Sequence, residues 1–192
     1  MRTTRAGKAA AAVLAGVMLT AVSPVAAHAQ SPEGSRAAVR LSPGDGRYGF
    51  MNLKSSKVLQ PLNGSTANGV RVVQQTVALS GGDLITSQNW TAYDAGSGYY
   101  SFRNVHSGRA LGIDGASTAA GANAIQATPD TSNNQDWRFE VYSGYPANVY
   151  RMKNRKSGLC LGISGASTAN GGQAAQFRCD GTSNQGWKII DN

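Results

Sequence analysis

Gln185-Gly186-Trp187 has two relatives in the same chain, Gln135-Asp136-Trp137 and Gln88-Asn89-Trp90. Together they hold all three tryptophans of the 192 residues, and the tryptophans follow one another at intervals of 47 and 50. The agreement extends upstream. Tyr48-Gly49-Phe50-Met51-Asn52, Tyr100-Ser101-Phe102-Arg103-Asn104 and Tyr150-Arg151-Met152-Lys153-Asn154 share one pattern, and each asparagine stands seven residues before Leu59, Leu111 or Leu161. Ser65-Thr66-Ala67-Asn68-Gly69 recurs as Ser117-Thr118-Ala119-Ala120-Gly121 and as Ser167-Thr168-Ala169-Asn170-Gly171. Gln74, Gln126 and Gln176 each follow their leucine by fifteen. Anchors in register at this spacing mark an internal triplication, with units of about 46–95, 96–143 and 144–192. The first unit carries about five extra residues, around Ser80-Gly81-Gly82-Asp83-Leu84.

Within each unit the period is two. Trp137, Phe139 and Val141 alternate with Arg138 and Glu140, as Tyr150 and Met152 do with Arg151 and Lys153. That alternation puts apolar side chains on one sheet face and charges on the other. Turn residues every 8–12 positions divide a unit into about four short strands. Charged residues are 15% of the chain and there are 24 glycines, a composition foreign to helical bundles and coiled coils. Three units are too few for a propeller, but they can close about a pseudo-threefold axis and so protect their strand edges.

The first 45 residues read differently. Arg2, Arg5 and Lys8 precede an uncharged apolar run from Ala9 to Val22, too short to span a bilayer. Pro24 and the small-x-small sequence Ala27-His28-Ala29 follow. Residues 1–29 are thus expected to be a secretion signal cleaved before Gln30, and the remainder to be secreted, extracellular and free of any membrane. Residues 30–45, rich in Ser, Pro, Gly and Ala, are expected to form a flexible leader. The full chain carries +8; without the leading 29 residues the balance is 15 basic against 10 acidic, or +5. The surplus is diffuse and does not read as a nucleic-acid footprint. The cluster Arg151, Lys153, Arg155 and Lys156 reads most simply as the solvated face of a strand and its turn, with a patch for an anionic glycan as the alternative.

Three units of just under fifty residues, each ending in Gln-x-Trp, resemble a ricin-B-type β-trefoil lectin domain, and among its relatives the carbohydrate-binding modules of family 13. The likeness covers about Gly46 to Asn192. It implies an all-β fold, a β-trefoil of three pseudo-symmetric repeats with four strands each, in which Trp90, Trp137 and Trp187 are core residues. Cys160 and Cys179 stand where members of the family form a disulfide within one repeat. An even pair in an exported chain is also most simply bridged. The equivalent positions elsewhere are Val58 with Val77 and Ala110 with Pro129, so the other two repeats have no bridge.

No catalytic constellation is legible. The only histidine after residue 29 is His106, in the turn Val105-His106-Ser107-Gly108, and no nucleophile is flagged beside it. Zinc needs three or four N or S ligands, which are not there once the cysteines pair. Glycosidases need two carboxylates about 5–10 Å apart, whereas the ten acids are scattered, Asp136 and Glu140 being four apart on one strand. The chain is expected to be a non-enzyme with no metal and no cofactor.

Binding of sugar is the function that the resemblance implies. In the family, a shallow pocket in each repeat uses an Asp soon after the first cysteine position, a Gln and an aromatic on the next strand, and an Asn before the Gln-x-Trp glutamine. The third repeat offers Phe177, Asn184 and Gln185, with Gly162 and Ala175 in place of the Asp and the Gln. Asp180 is the candidate to replace the missing carboxylate. The second repeat keeps Asn134 and Gln135 but has Gly112, Ile125 and Ala127 elsewhere; Asp114, two residues past Gly112 and expected on the same strand face, would form a shifted site. The first keeps Gln88 alone, beside Gln60, Val73, Gln75 and Ser87. A hydrogen bond to a charged group is worth roughly 1.5–3 kcal/mol, so loss of the Asp costs about ten- to a hundredfold in affinity. The expectation is therefore a monomer that binds galactose-, xylose- or arabinose-containing glycans weakly, chiefly through its third repeat. The alternative is a trefoil with decayed sugar sites that binds a protein, for instance as a protease inhibitor, through the loop Ser80–Leu84.

Overall fold

The computed structural model describes residues 39–44 and 46–191. The expected signal and most of the expected leader lie outside these residues.

The first repeat supplies β1 (Arg47–Asn52), β2 (Val58–Pro61), β3 (Val72–Gln75), a two-residue ribbon β4 (Leu79–Ser80) and β5 (Asp83–Leu84), and β6 (Trp90–Gly96). The second has β7 (Tyr99–Asn104), β8 (Ala110–Ile113), β9 (Ala124–Ala127) and β10 (Asp136–Val141). The third has β11 (Val149–Asn154), β12 (Cys160–Ile163), β13 (Ala174–Phe177) and β14 (Gly186–Asp191). The first and last strand of each repeat close a six-stranded antiparallel ring: β1 pairs β14 and β6, β7 pairs β6 and β10, and β11 pairs β10 and β14. Closure leaves the ring no free edge. The middle strands form the hairpins β2–β3, β8–β9 and β12–β13. Bridges from Arg71 to Ile125, Asn123 to Ala175 and Gln173 to Val73 join those hairpins cyclically into a triangular cap. Barrel and threefold cap make the β-trefoil expected from the repeats, with the five extra residues of the first repeat accounted for by the β4–β5 ribbon.

The alternation of the strands explains the core. Trp90, Trp137 and Trp187 are completely buried, and each indole donates to the carbonyl of its repeat's leucine, at 3.3 Å to Leu59, 2.9 Å to Leu111 and 2.9 Å to Leu161. Phe50, Phe102 and Phe139 meet around the axis at centroid separations of 4.9–5.7 Å. The repeats are not identical here: where the second has Phe139, the first has Ala92, so one ring fills the room that a smaller residue leaves.

The glutamines at fifteen from each leucine hold the cap together. Gln74, Gln126 and Gln176 are fully buried. Each gives both amide hydrogens to a neighbouring repeat: Gln74 to Ser167 and Ala169, Gln126 to Ser65 and Ala67, Gln176 to Ser117 and Ala119, all at 2.7–2.9 Å. Each side-chain carbonyl accepts from a serine of its own repeat, Ser55, Ser107 or Ser157. The Ser-Thr-Ala-x-Gly loops are thus docking sites for the next repeat. Within them Gly69 and Gly171 supply the positive φ, whereas Asn68 and Asn170 accept from the backbone of Thr128 and Thr76 across the repeat boundary.

Cys160 and Cys179 are bridged, tying β12 to the loop after β13. Residues 39–44, within the stretch expected to be flexible, make defined contacts. Val39 and Leu41 pack on the core, and the amides of Leu41 and Ser42 donate to the hydroxyls of Tyr100 and Tyr48.

Candidate functional site

Gly162 lies on β12 opposite Ala175 of β13, and the turn ending at Gln185 crosses above it. A Cβ placed on Gly162 would stand 2.9 Å from Gln185 Cγ and 3.3 Å from both Phe177 Cδ2 and the Asn184 carbonyl oxygen. The glycine is therefore the floor on which Phe177, Asn184 and Gln185 converge. Phe177 and Asn184 are half-buried, as suits a ring and an amide with one side in solvent, whereas Gln185 is buried.

The hydrogen bonds divide the roles. Gln185 donates to the carbonyl of Arg178 at 2.9 Å and accepts from the amide of Asp180 at 3.3 Å. Gln135 does the same with Thr128 and Asp130. Both amides hold their own loop in place. Asn184 spends one amide hydrogen on the Ile163 carbonyl at 3.2 Å and has a second to offer. Asp180 is exposed and accepts from the Thr182 amide at 2.9 Å. Thr182 Oγ1 lies 2.7 Å from both Asp180 Oδ1 and Asn184 Oδ1, so its single hydrogen couples the carboxylate to the amide. The loop carrying Asp180 is buttressed from behind: Tyr142 packs on Gly181, and Tyr145 donates to the Thr182 carbonyl at 2.8 Å. Burial, with a smaller contribution from the Asp180 charge, pushes the Tyr145 phenol up to about 12, so it remains a donor.

The second repeat repeats this arrangement without its ring. Asp130, Ser132 and Asn134 reproduce Asp180, Thr182 and Asn184, and Asn134 donates to Ile113. Asp130 was not singled out by the sequence reading, although it precedes Gln135 by five as Asp180 precedes Gln185. Ala127 replaces Phe177, and Asn134 is buried. Asp114 is not on the strand face expected for it: β8 ends at Ile113, and Asp114 opens the following turn, exposed. The chain turns there because Gly115 and Ala116 adopt positive φ, so the carboxylate sits at the rim rather than beside Gly112.

In the first repeat, Gln60, Leu62, Asn63, Val73 and Gln75, with Asn170 and Gly171 of the third, line a cavity of about 200 Å³. Gln60 accepts from Gln88 at 2.9 Å. The substitutions that read as losses in the sequence thus leave an amide-lined recess. Asp136 and Glu140 are committed to ion pairs on the barrel wall, with Arg155 for the former and with Arg138, Arg151 and Lys153 for the latter. His106 is exposed in its turn, its Nδ1 3.4 Å from Thr86 Oγ1.

The family model described as ricin-type beta-trefoil lectin domain-like matches three overlapping stretches, residues 38–127, 86–146 and 133–192. The chain belongs to the ricin-type β-trefoil lectin family. Among solved structures it is similar to the designed threefold-symmetric protein ThreeFoil, with 36% identity and a TM-score of 0.69 over 76% of this chain and 99% of that one. It is equally similar to 1,3Gal43A, an exo-β-1,3-galactanase from Clostridium thermocellum, with 34% identity and a TM-score of 0.69 over 79% of this trefoil chain but only 31% of the enzyme. The Rhizoctonia solani agglutinin, at 22% identity and a TM-score of 0.63 over 81% of this chain and all of that one, shares the lectin-family fold. No curated protein matches the trefoil sequence.

Proposed function

We propose that this protein is a secreted, non-catalytic carbohydrate-binding module whose working site is in the third repeat. The observation that carries the reading is the convergence of Phe177, Asn184 and Gln185 around the buried Gly162, with Phe177 and Asn184 half-buried. A sugar presents an apolar C–H face to an aromatic ring and hydroxyls to polar groups around it. Phe177 is the platform, and the uncommitted amide hydrogen of Asn184 is the donor. Asp180, coupled to Asn184 through Thr182, is the acceptor for a sugar hydroxyl. Gln185 positions the loop. Family membership supports the reading, and the match to one part of a galactanase makes galactose-containing glycans the first to test, ahead of xylose- and arabinose-containing ones.

The experiment is calorimetric titration of galacto-oligosaccharide into the wild type, Phe177→Ala and Asn184→Ala. Loss of the platform is expected to abolish measurable binding, and loss of the donor to weaken it about tenfold. Undiminished binding by Phe177→Ala would overturn the third-repeat assignment. A second reading, capture of a protein, rests on Leu79, which is 62% exposed on the β4–β5 ribbon that the first repeat alone has. Leu79→Asp would abolish such an interaction and leave sugar binding as it was.

A further inference from the structure

We propose that the outer wall of the barrel across β6, β7, β10 and β11 is a second binding surface, and that it takes a carboxylate-bearing polysaccharide. The residues that alternate outward there are not an ordinary solvated face. Arg103 stacks on Tyr93 at 4.1 Å, and Arg151 lies over Tyr142 at 4.7 Å. Tyr99 has Arg138 over its ring at 5.2 Å and Arg155 at 5.0 Å. Each guanidinium is therefore held against an aromatic face, which fixes its plane before any ligand arrives. A freely solvated lysine face would have to be immobilised on binding; this one has already lost much of that freedom.

The charges do not cancel. Arg103, Arg138, Arg151, Lys153 and Arg155 face two carboxylates, Asp136 and Glu140. Asp94, next along β6 from Tyr93, alternates to the other side of the strand and accepts from Gly96 at 2.8 Å. Among the described residues Arg103 has no ion pair and no hydrogen bond, and the Nε groups of Arg103, Arg138 and Arg151 have no acceptor. Those Nε groups are buried, so the demand for an anion rests on the half-buried, unpaired guanidinium of Arg103.

Two features select the ligand. Glu140 shows which anion the wall accommodates, because Arg138, Arg151 and Lys153 already gather around its carboxylate. Tyr93, on whose ring Arg103 stacks, is itself 39% exposed, so aromatic surface adjoins the unpaired cation. A uronic-acid residue offers both counterparts, a carboxylate and a pyranose C–H face. The wall meets the third-repeat loop at Tyr142, which backs Gly181, but the inference uses none of Phe177, Asn184 and Asp180.

The test uses protein expressed from the full-length sequence. Oligogalacturonate, its fully methyl-esterified form and a single-stranded oligonucleotide of equal charge are titrated calorimetrically at about 0.15 M salt, where diffuse attraction between exposed charges is largely screened. The inference expects saturable binding of the carboxylate form, with a Kd at least about tenfold below those for the ester and the oligonucleotide. The double variant R103Q/R138Q is expected to lose about tenfold or more, and R103K to lose part of that although its charge is unchanged. The control K54Q/K57Q, on the first repeat, should bind within about twofold of wild type. Equal affinity for the ester, tighter binding of the oligonucleotide, or an equal loss in the control would each overturn the inference. So would full affinity in R103K together with R103Q/R138Q. The neutral-sugar titration of Phe177→Ala is read separately, so failure of either site leaves the other test intact.

Discussion

Gln74 Nε2 and the Ala169 carbonyl oxygen stand 2.9 Å apart across 95 residues of sequence. The same relationship joins Gln126 to Ala67 and Gln176 to Ala119. With every donor and acceptor of the buried amide satisfied, each glutamine fixes its own repeat on the loop of the repeat before it, cyclically, and the three together fix the cap on which the candidate site is built.

Gln176→Ala should then cost about 2–4 kcal/mol, because it strands the Ser117 and Ala119 carbonyls and leaves a void. For a domain of this size that lowers Tm by about 10 °C. Gln176→Glu should cost more at neutral pH, since a buried carboxylate would face two carbonyl oxygens, and should recover on acidification. Thermal melts at pH 7 and pH 4 check both; equal stability of the two variants at both pH values would refute the network's role.

Opening the Cys160–Cys179 bridge releases a nineteen-residue loop in the repeat that carries the site, at a cost of roughly 3 kcal/mol in the chain-entropy model. Urea denaturation with and without reductant measures it. Because Val58 and Ala110 stand at the equivalent positions of the other repeats, an unchanged midpoint would mean that cap packing alone orders that loop.

Gly162→Ala tests the floor of the site. Its Cβ would meet Gln185 Cγ at 2.9 Å and Phe177 Cδ2 at 3.3 Å, an overpacking that costs about 1–3 kcal/mol. Sugar affinity should fall with it as Phe177 is displaced. A variant as stable as wild type with undiminished affinity would show that the ring is not seated on Gly162.

Burial raises the Asp136 carboxyl above its ordinary value of 3.8, and its hydrogen bond and charge pairing with Arg155 offset that only in part. The native state therefore holds this proton more tightly than the unfolded chain does. The stability it contributes is complete below pH 3.8, declines as pH rises through the raised native value, and is level above it. In Asp136→Asn this decline is absent, so the variant's Tm relative to wild type should climb across that window. A constant difference from pH 3 to pH 7 would contradict the assignment.

Much of the fold was legible because repetition made it so. The three tryptophans, the strand alternation and the paired cysteines each carry their meaning within one repeat. Gln74, Gln126 and Gln176 were visible as a spacing but not as a mechanism, since their partners lie in another repeat. Asp114 was misplaced for a local reason, a strand that ends one residue early in a turn with two successive left-handed residues. In the first repeat, replacement of every familiar position except Gln88 read as loss; only the folded chain shows that Gln60 and Gln75 line a recess. Val39 and Leu41 gave no signal because two apolar residues in a Ser- and Ala-rich stretch have no period to reveal the core they join.

The central claim is that sugar binds over Gly162. An amide NMR titration with galactose, xylose and arabinose oligomers, carried to tens of millimolar because a single site with no Asp at Gly162 is weak, tests it most directly. The account predicts saturable shifts at Gly162, Phe177, Asn184 and Thr182 for at least one series. Shifts confined to Gln60, Asn63 and Gln75, or none with any sugar, would contradict it.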